Sequence, residues 1–118
     1  MLPLGSVVYL KNGTQPILII GRGQVISVND IQYFCDYTGC YFPNGINQDG
    51  NLYFNEENID KVLFEGFCNE AEERYTSQLE TEMKETTIEK LNVIELSEKF
   101  ELLKEQEEQA LLGVFNQI

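Results

Sequence analysis

Histidine is absent from this 118-residue chain, and so is tryptophan. The first absence removes the usual general base near neutral pH and the commonest transition-metal ligand. Cysteine is scarce and odd in number: Cys35, Cys40 and Cys68, with no CxxC pair. Three thiolates would need a fourth ligand to close a zinc site, and no imidazole is there to supply it. We expect reduced structural thiols, with Cys35 and Cys68 serving as small hydrophobes among aromatics. Positive charge is short as well. Eight bases face twenty acids, a formal net charge of −12. A field of that sign repels phosphate backbones and anionic lipid, so neither nucleic acid nor a membrane is an expected partner. No apolar run nears the ~20 residues that span a bilayer. Residues 1–5 lack the basic and apolar stretches of a secretory signal, so a cytoplasmic location is expected.

Catalytic constellations are equally hard to assemble. Ser6, Ser27, Ser77 and Ser97 have no histidine to activate them, and no GxSxG is present. Carboxylates are plentiful, but most fall on helical stretches where a solvated face accounts for them. Gly21-Arg22-Gly23 follows a strand in the manner of a phosphate-cradling turn. The third glycine of that motif would be position 26, which is Ile26, and the next segment reads as strand rather than helix. A β-turn or bulge is the expectation there. Residues 45–56 partly match a calcium loop, with Asn47, Asp49, Gly50, Leu52 and Glu56 at its third, fifth, sixth, eighth and twelfth positions. The first position, however, carries Gly45, and no helix precedes it. We expect no enzyme, no metal and no cofactor.

What is present divides in two. Residues 1–54 hold three acids, two bases, seven of the nine glycines and all three prolines; residues 55–118 hold 17 acids and six bases. Sheet followed by helix is the plain reading, an α+β fold. Residues 6–10, 17–20, 24–28 and 31–37 read as strands, with Asn12-Gly13 and Asn29-Asp30 as turns. Residues 52–54 form a short segment suited to an edge. Residues 62–67 read as strand again after a brief helical start capped by Asn55. The expected architecture is an antiparallel, twisted sheet of about five strands followed by C-terminal helices across 69–115.

Asn69-Glu-Ala-Glu72 resembles a capping box. Ala71, Tyr75, Leu79 and Met83 follow at every fourth residue as a narrow apolar stripe, and residues 86–89 continue or restart that helix. Farther on, Leu96, Phe100, Leu103, Leu111 and Val114 share one side at 100° per residue, with Phe115 off its centre. We expect packing on the sheet up to about Met83 and partner contact beyond. Leu96, Phe100, Leu103, Leu111 and Phe115 are therefore candidate partner-binding residues, and homodimerisation through this helix is a further possibility. Nine of the thirteen aromatics lie within residues 33–67. Most are expected to form core against the helices; Tyr37, Tyr41 and Phe42 make a lesser candidate patch. The expected division is a sheet-rich domain with the first helix over 1–83 and an amphipathic extension over 84–118.

Pro3-Leu-Gly-Ser-Val-Val, Lys11-Asn-Gly-Thr and Ile19-Ile-Gly-Arg22 resemble the opening of a small Firmicutes domain family of unknown function. Asp36-Tyr-Thr-Gly39, Tyr41-Phe-Pro43-Asn-Gly45, Tyr53-Phe-Asn55 and the run from Ile59 to Phe67 are similar to its later segments. The resemblance covers about residues 2–75 and leaves the region from about 84 onward uncovered. Members of that family are encoded beside LXG polymorphic toxins of the Gram-positive type VII secretion system. The resemblance thus implies a small cytoplasmic accessory protein, a chaperone or targeting factor that binds a cognate LXG effector. An immunity protein that neutralises the toxin domain is the alternative.

Overall fold

Asn29 and Asp30 adopt φ angles of 52° and 65°. Two successive left-handed residues make the tight turn whose twist suits a hairpin, and Asn and Asp tolerate that geometry best after glycine. The hairpin they close is the spine of the protein: β2 (Ile17–Val28) runs antiparallel to β3 (Ile31–Tyr41). These features come from a computed structural model, which describes residues 1–46 and 51–92. The other strands are β1 (Val7–Leu10), β4 (Leu52–Phe54), β5 (Ile59–Phe64) and β6 (Glu89–Lys90), and the helix is α1 (Glu70–Glu85).

The sheet order is β4-β3-β2-β1-β5. All pairs along that path are antiparallel, while β6 joins β3 in parallel. Because β2 occupies one side of β3, β4 and β6 share the other, opposite residues 37–39 and 33–34 respectively. The fold is α+β, as expected, with six strands rather than about five.

Three expectations are corrected. The segments 17–20 and 24–28 are one strand, because β3 offers a partner along the whole length. The Gly21-Arg22-Gly23 interruption is the expected bulge, here within that strand: Ile19 faces Gly39 and Gly21 faces Thr38, one residue being accommodated. The helix that follows the sheet lies mid-chain. It stops at Glu85, where Thr86, Thr87 and Ile88 follow, three β-branched side chains in a row that crowd a preceding helical turn. The chain then turns extended and enters the sheet as β6. The third correction concerns Tyr37. It belongs to the core, fully buried with Val8, Ile17, Ile19 and Phe54.

Cross-strand neighbours lie on the same side of a sheet. Tyr37 faces Phe54 across β3–β4 and Arg22 across β2–β3, so the three point to one face. Tyr37 and Phe54 meet with ring centroids 5.6 Å apart. What packs over this face is the N-terminal segment. Met1 and Leu2 lie against the core, and the Leu2 N–H donates to the Tyr37 hydroxyl at 2.8 Å. That hydroxyl donates in turn to Glu56. Burial and the acceptor carboxylate together hold the Tyr37 proton far above a phenol's ordinary range.

Candidate functional site

Among the described residues Arg22 is the most deeply set charged side chain, only 2% exposed. The bulge in β2 turns it onto the core face, where apolar neighbours would make an unpaired guanidinium very costly. Both terminal nitrogens are answered. Its Nη2 donates to Oε2 of Glu72 at 2.9 Å and its Nη1 to Oε1 of the same carboxylate; Nη1 also reaches the Leu2 carbonyl at 3.1 Å. The ring of Tyr75 stands 5.2 Å from the guanidinium carbon, within cation–π range. The Arg22 bonds hold the Glu72 carboxyl below its usual range.

Glu72 is supplied by the first turn of α1. The Asn69 side chain caps that turn by accepting the Glu72 N–H at 3.0 Å, and Glu70, Glu72 and Glu73 place negative charge at the positive end of the helix. No residue of α1 is fully buried. The expected stripe is present but shallow: Ala71 and Tyr75 are exposed, Leu79 and Met83 half-buried. The helix is held by the Arg22 fork and by Leu79, which lies over Gly23. A Cβ at Gly23 would come within 2.5 Å of Leu79, and the backbone there is left-handed at φ +62°.

Between Phe67, Leu4, Ala71 and Tyr75, above the Arg22–Glu72 pair, lies an open groove of about 520 Å³. Phe67 is 80% exposed, Tyr75 52% and Leu4 49%. The sequence places Phe67 among nine aromatics of which most are expected in the core, and offers no reading of Leu4 as a surface residue. The local signal was Gly66: it packs where a Cβ would sit 2.1 Å from the Leu4 carbonyl oxygen, and its N–H donates to the buried Ser6 Oγ at 2.9 Å. The backbone is thereby pinned, and Phe67 is left facing outward.

A second polar cluster closes the opposite flank. The Asn55 side chain is buried and both its ends are used: Oδ1 accepts the Asp36 N–H at 2.9 Å and Nδ2 donates to the Leu91 carbonyl. Asp36 accepts the Glu56 N–H at 2.9 Å and pairs with Lys90 at 3.1 Å; Lys90 also meets Glu57 at 3.2 Å. Burial alone would lower the Lys90 pKa, but Asp36 and Glu57 outweigh it and raise it. Leu91 is buried, its N–H bonded to the Phe34 carbonyl at 2.8 Å. Residues 89 and 90 are therefore part of the sheet, and Leu91 is bonded to its edge.

Of the candidate patch, Tyr41 and Phe42 are exposed and Tyr37 is not, because residues 35–40 of β3 are buried throughout and the chain leaves the core at 41, where the strand ends. The two exposed rings sit on a tied backbone: the Phe42 N–H donates to the Pro16 carbonyl at 2.9 Å, and the Gly45 N–H to Tyr41 at 2.8 Å. Leu96, Phe100, Leu103, Leu111 and Phe115 lie outside the described residues, as do Asn47, Asp49 and Gly50 of the calcium-like loop. Among the described residues, no group of three or more Cys, Asp or Glu is arranged to hold a metal ion. Cys35 and Cys40 are buried free thiols, and burial and then the neighbouring Asp36 push Cys35 up to about 11. Cys68 is exposed rather than packed among aromatics. No helix among the described residues is long and apolar enough to cross a membrane.

No curated protein and no solved structure matches the chain. A family model matches residues 1–75, a span that holds the first five strands, the groove and the Arg22–Glu72 pair and ends within α1. The chain belongs to the family described as a domain of unknown function, DUF4176.

Proposed function

We propose that this protein is a cytoplasmic accessory factor of type VII secretion, a chaperone or targeting factor that binds a cognate LXG effector. The observation that supports this best is the exposed pair Tyr41 and Phe42, presented on a hydrogen-bonded backbone at the end of β3. Large aromatic rings held outward by rigid backbone are the chemistry of an adhesive surface, because little side-chain freedom remains to be lost on binding. The family resemblance supplies the class of partner. The apolar residues spaced through 96–115 offer a second contact suited to a helical client, and the −12 charge opposes self-association without excluding a homodimer.

The charge favours one alternative, an immunity role in which an acidic inhibitor covers a basic toxin site. Co-expression with the effector encoded beside it, supplied as its N-terminal helical part and its toxin domain separately, distinguishes the two. Retention by a piece without inhibition, with a rise in soluble or exported effector, is the expected outcome. Retention by the toxin domain alone, with loss of toxicity, assigns immunity. Binding to neither piece removes both readings. Because Lys90 belongs to the sheet and Leu91 is bonded to its edge, the truncation that tests the C-terminal stripe removes residues 93–118 and leaves 84–92 in place.

A further inference from the structure

We propose that the outer edge of β3, from Ile31 to Asp36, is a strand-docking slot for an extended lysine–leucine segment of another protein, and that residues 89–91 are its occupant in cis. The site is separate from Tyr41 and Phe42 and from the C-terminal stripe, and it does not depend on the effector reading.

The slot has a definite chemistry, displayed by what fills it. The Phe34 carbonyl accepts the Leu91 N–H at 2.8 Å, and the buried Asn55 Nδ2 donates to the Leu91 carbonyl, so one residue is gripped at both ends. Its side chain is 3% exposed, which marks a place for a leucine. The residue before it sets its ammonium between Asp36 at 3.1 Å and Glu57 at 3.2 Å. A lysine followed by a leucine, in a strand parallel to β3, satisfies all of these groups together. Phe34, Asp36, Asn55 and Glu57 lie inside the matched span 1–75, whereas the occupant lies beyond it. The site belongs to the domain and its filler to the chain that follows.

The cis occupant uses only part of the edge. β6 pairs with Tyr33 and Phe34, while Ile31 and Gln32 ahead of them are exposed and carry no strand on that side among the described residues. Continued in register, the ladder would set Ile88 against Gln32 and Thr87 against Ile31. The chain is still turning out of α1 there: Thr86 caps the helix, and its hydroxyl accepts the Ile88 N–H at 3.2 Å. A segment free of the helix extends the ladder over both positions, which offsets the advantage of a tethered competitor. Leu91 alone is buried among residues 86–92. A strand of two residues held by one leucine opens at the low end of local stabilities. Opening strips Asp36 and Glu57 of their cation, and an incoming lysine restores it.

The test titrates the full-length, isotope-labelled protein with the acetylated and amidated peptide Val-Thr-Ile-Glu-Lys-Leu-Asn. A control peptide exchanges the lysine and the leucine, keeping composition and charge. Saturable shifts at the amides of residues 31–36 and Asn55, with loss of exchange protection at the Leu91 amide, are expected. Leu91→Ala weakens the cis occupant and should bind the peptide about tenfold more tightly than the wild type. Lys90→Gln should gain about threefold, and it gives the same reading where Leu91→Ala does not fold. The proposal is overturned by equal binding of the exchanged peptide, by shifts centred elsewhere, by no gain in either variant, or by no saturable binding. A concentration-dependent dimer that trades residues 86–92 between copies and shuts out the peptide also overturns it. None of these outcomes alters the effector pull-down, so the two proposals fail separately.

Discussion

Arg22 and Glu72, fifty residues apart in the chain, meet in a forked pair of hydrogen bonds that fastens α1 to the middle of β2. The carboxylate side is 15% exposed and the guanidinium side almost fully covered, so the pair is shielded from the screening that weakens surface ion pairs. Glu72→Gln keeps the shape and removes the charge. It should cost about 1.5–3 kcal/mol, the range for a hydrogen bond to a charged group. Thermal unfolding of the wild type, E72Q, Arg22→Met and the double variant would measure it. A coupling energy near zero would show that Leu2 and Tyr75 hold Arg22 without Glu72.

The same pair gives acid denaturation a defined sign. Arg22 lowers the Glu72 pKa in the folded state, so the unfolded chain takes up this proton first as the pH falls. The contribution is complete above the ordinary carboxylate range and is lost as pH drops through the depressed folded value. Urea unfolding at a series of pH values should show E72Q with a shallower acid limb than the wild type.

Lys90 produces the opposite limb. Its pKa is raised in the fold by Asp36 and Glu57 against the cost of burial, so its contribution is full below the ordinary lysine value. It is lost as pH rises through the folded value. Lys90→Met should flatten stability on the alkaline side and also soften the acid limb slightly, because Lys90, against the cost of burial, helps hold Glu57 below its ordinary value; the part due to Glu72 stays in place.

Gly66→Ala should damage the fold more than Gly23→Ala. At Gly23 the added methyl meets the flexible end of Leu79, and the left-handed backbone adds about 1–2 kcal/mol of strain. At Gly66 it meets the Leu4 backbone, which cannot rotate away. The whole 65–69 segment must lift, losing the Ser6 bond, and more than about 2 kcal/mol should go with it. Denaturant midpoints of the two variants would rank them.

Thiol labelling should count one reactive cysteine of three. Cys68 is exposed, whereas Cys35 and Cys40 are buried and Cys35 is held in its protonated form near neutral pH. A disulfide-exchange reagent should modify one equivalent in the native protein and three in denaturant. Two fast equivalents in the native state would show that β3 opens locally.

The parts of this fold that could be read from the sequence are those decided by neighbours in the chain. Asn29-Asp30 announces its hairpin because few residue pairs accept two left-handed conformations. Asn55 announces the brief 3₁₀ turn after β4 because its side chain competes for backbone donors. Gly21-Arg22-Gly23 misled in part, since two glycines resemble a chain reversal until a continuous partner strand is known. The roofing of Tyr37 by Leu2 was not legible, because no periodicity links positions 35 residues apart. Helix running straight on past Glu85 was expected from the run of Glu, Lys and Leu. Over residues 86–92, Thr86-Thr87-Ile88 and the place waiting for Leu91 beside Asn55 decided otherwise. The groove was missed for a related reason: Phe67 looks like core by composition, and only the backbone contact of Gly66 with Leu4 turns it out.

The position of β1 in the sheet bears on the order in which the protein can assemble. β1 lies between β2 and β5, and residues 1 and 2 lie on a core completed by Phe54, so the first residues made depend on some of the later ones. The β2–β3 hairpin is local and can form early, but it gains β4 on the β3 edge, and β1 on the β2 edge gains β5, only when residues 52–64 have returned. Such a chain has high contact order for its size, and its rate-limiting closure lies between distant segments rather than within the hairpin. During synthesis the N-terminal segment would wait, extended and apolar, until residue 64 and then Leu91 had left the ribosome. Folding should therefore proceed as one late event.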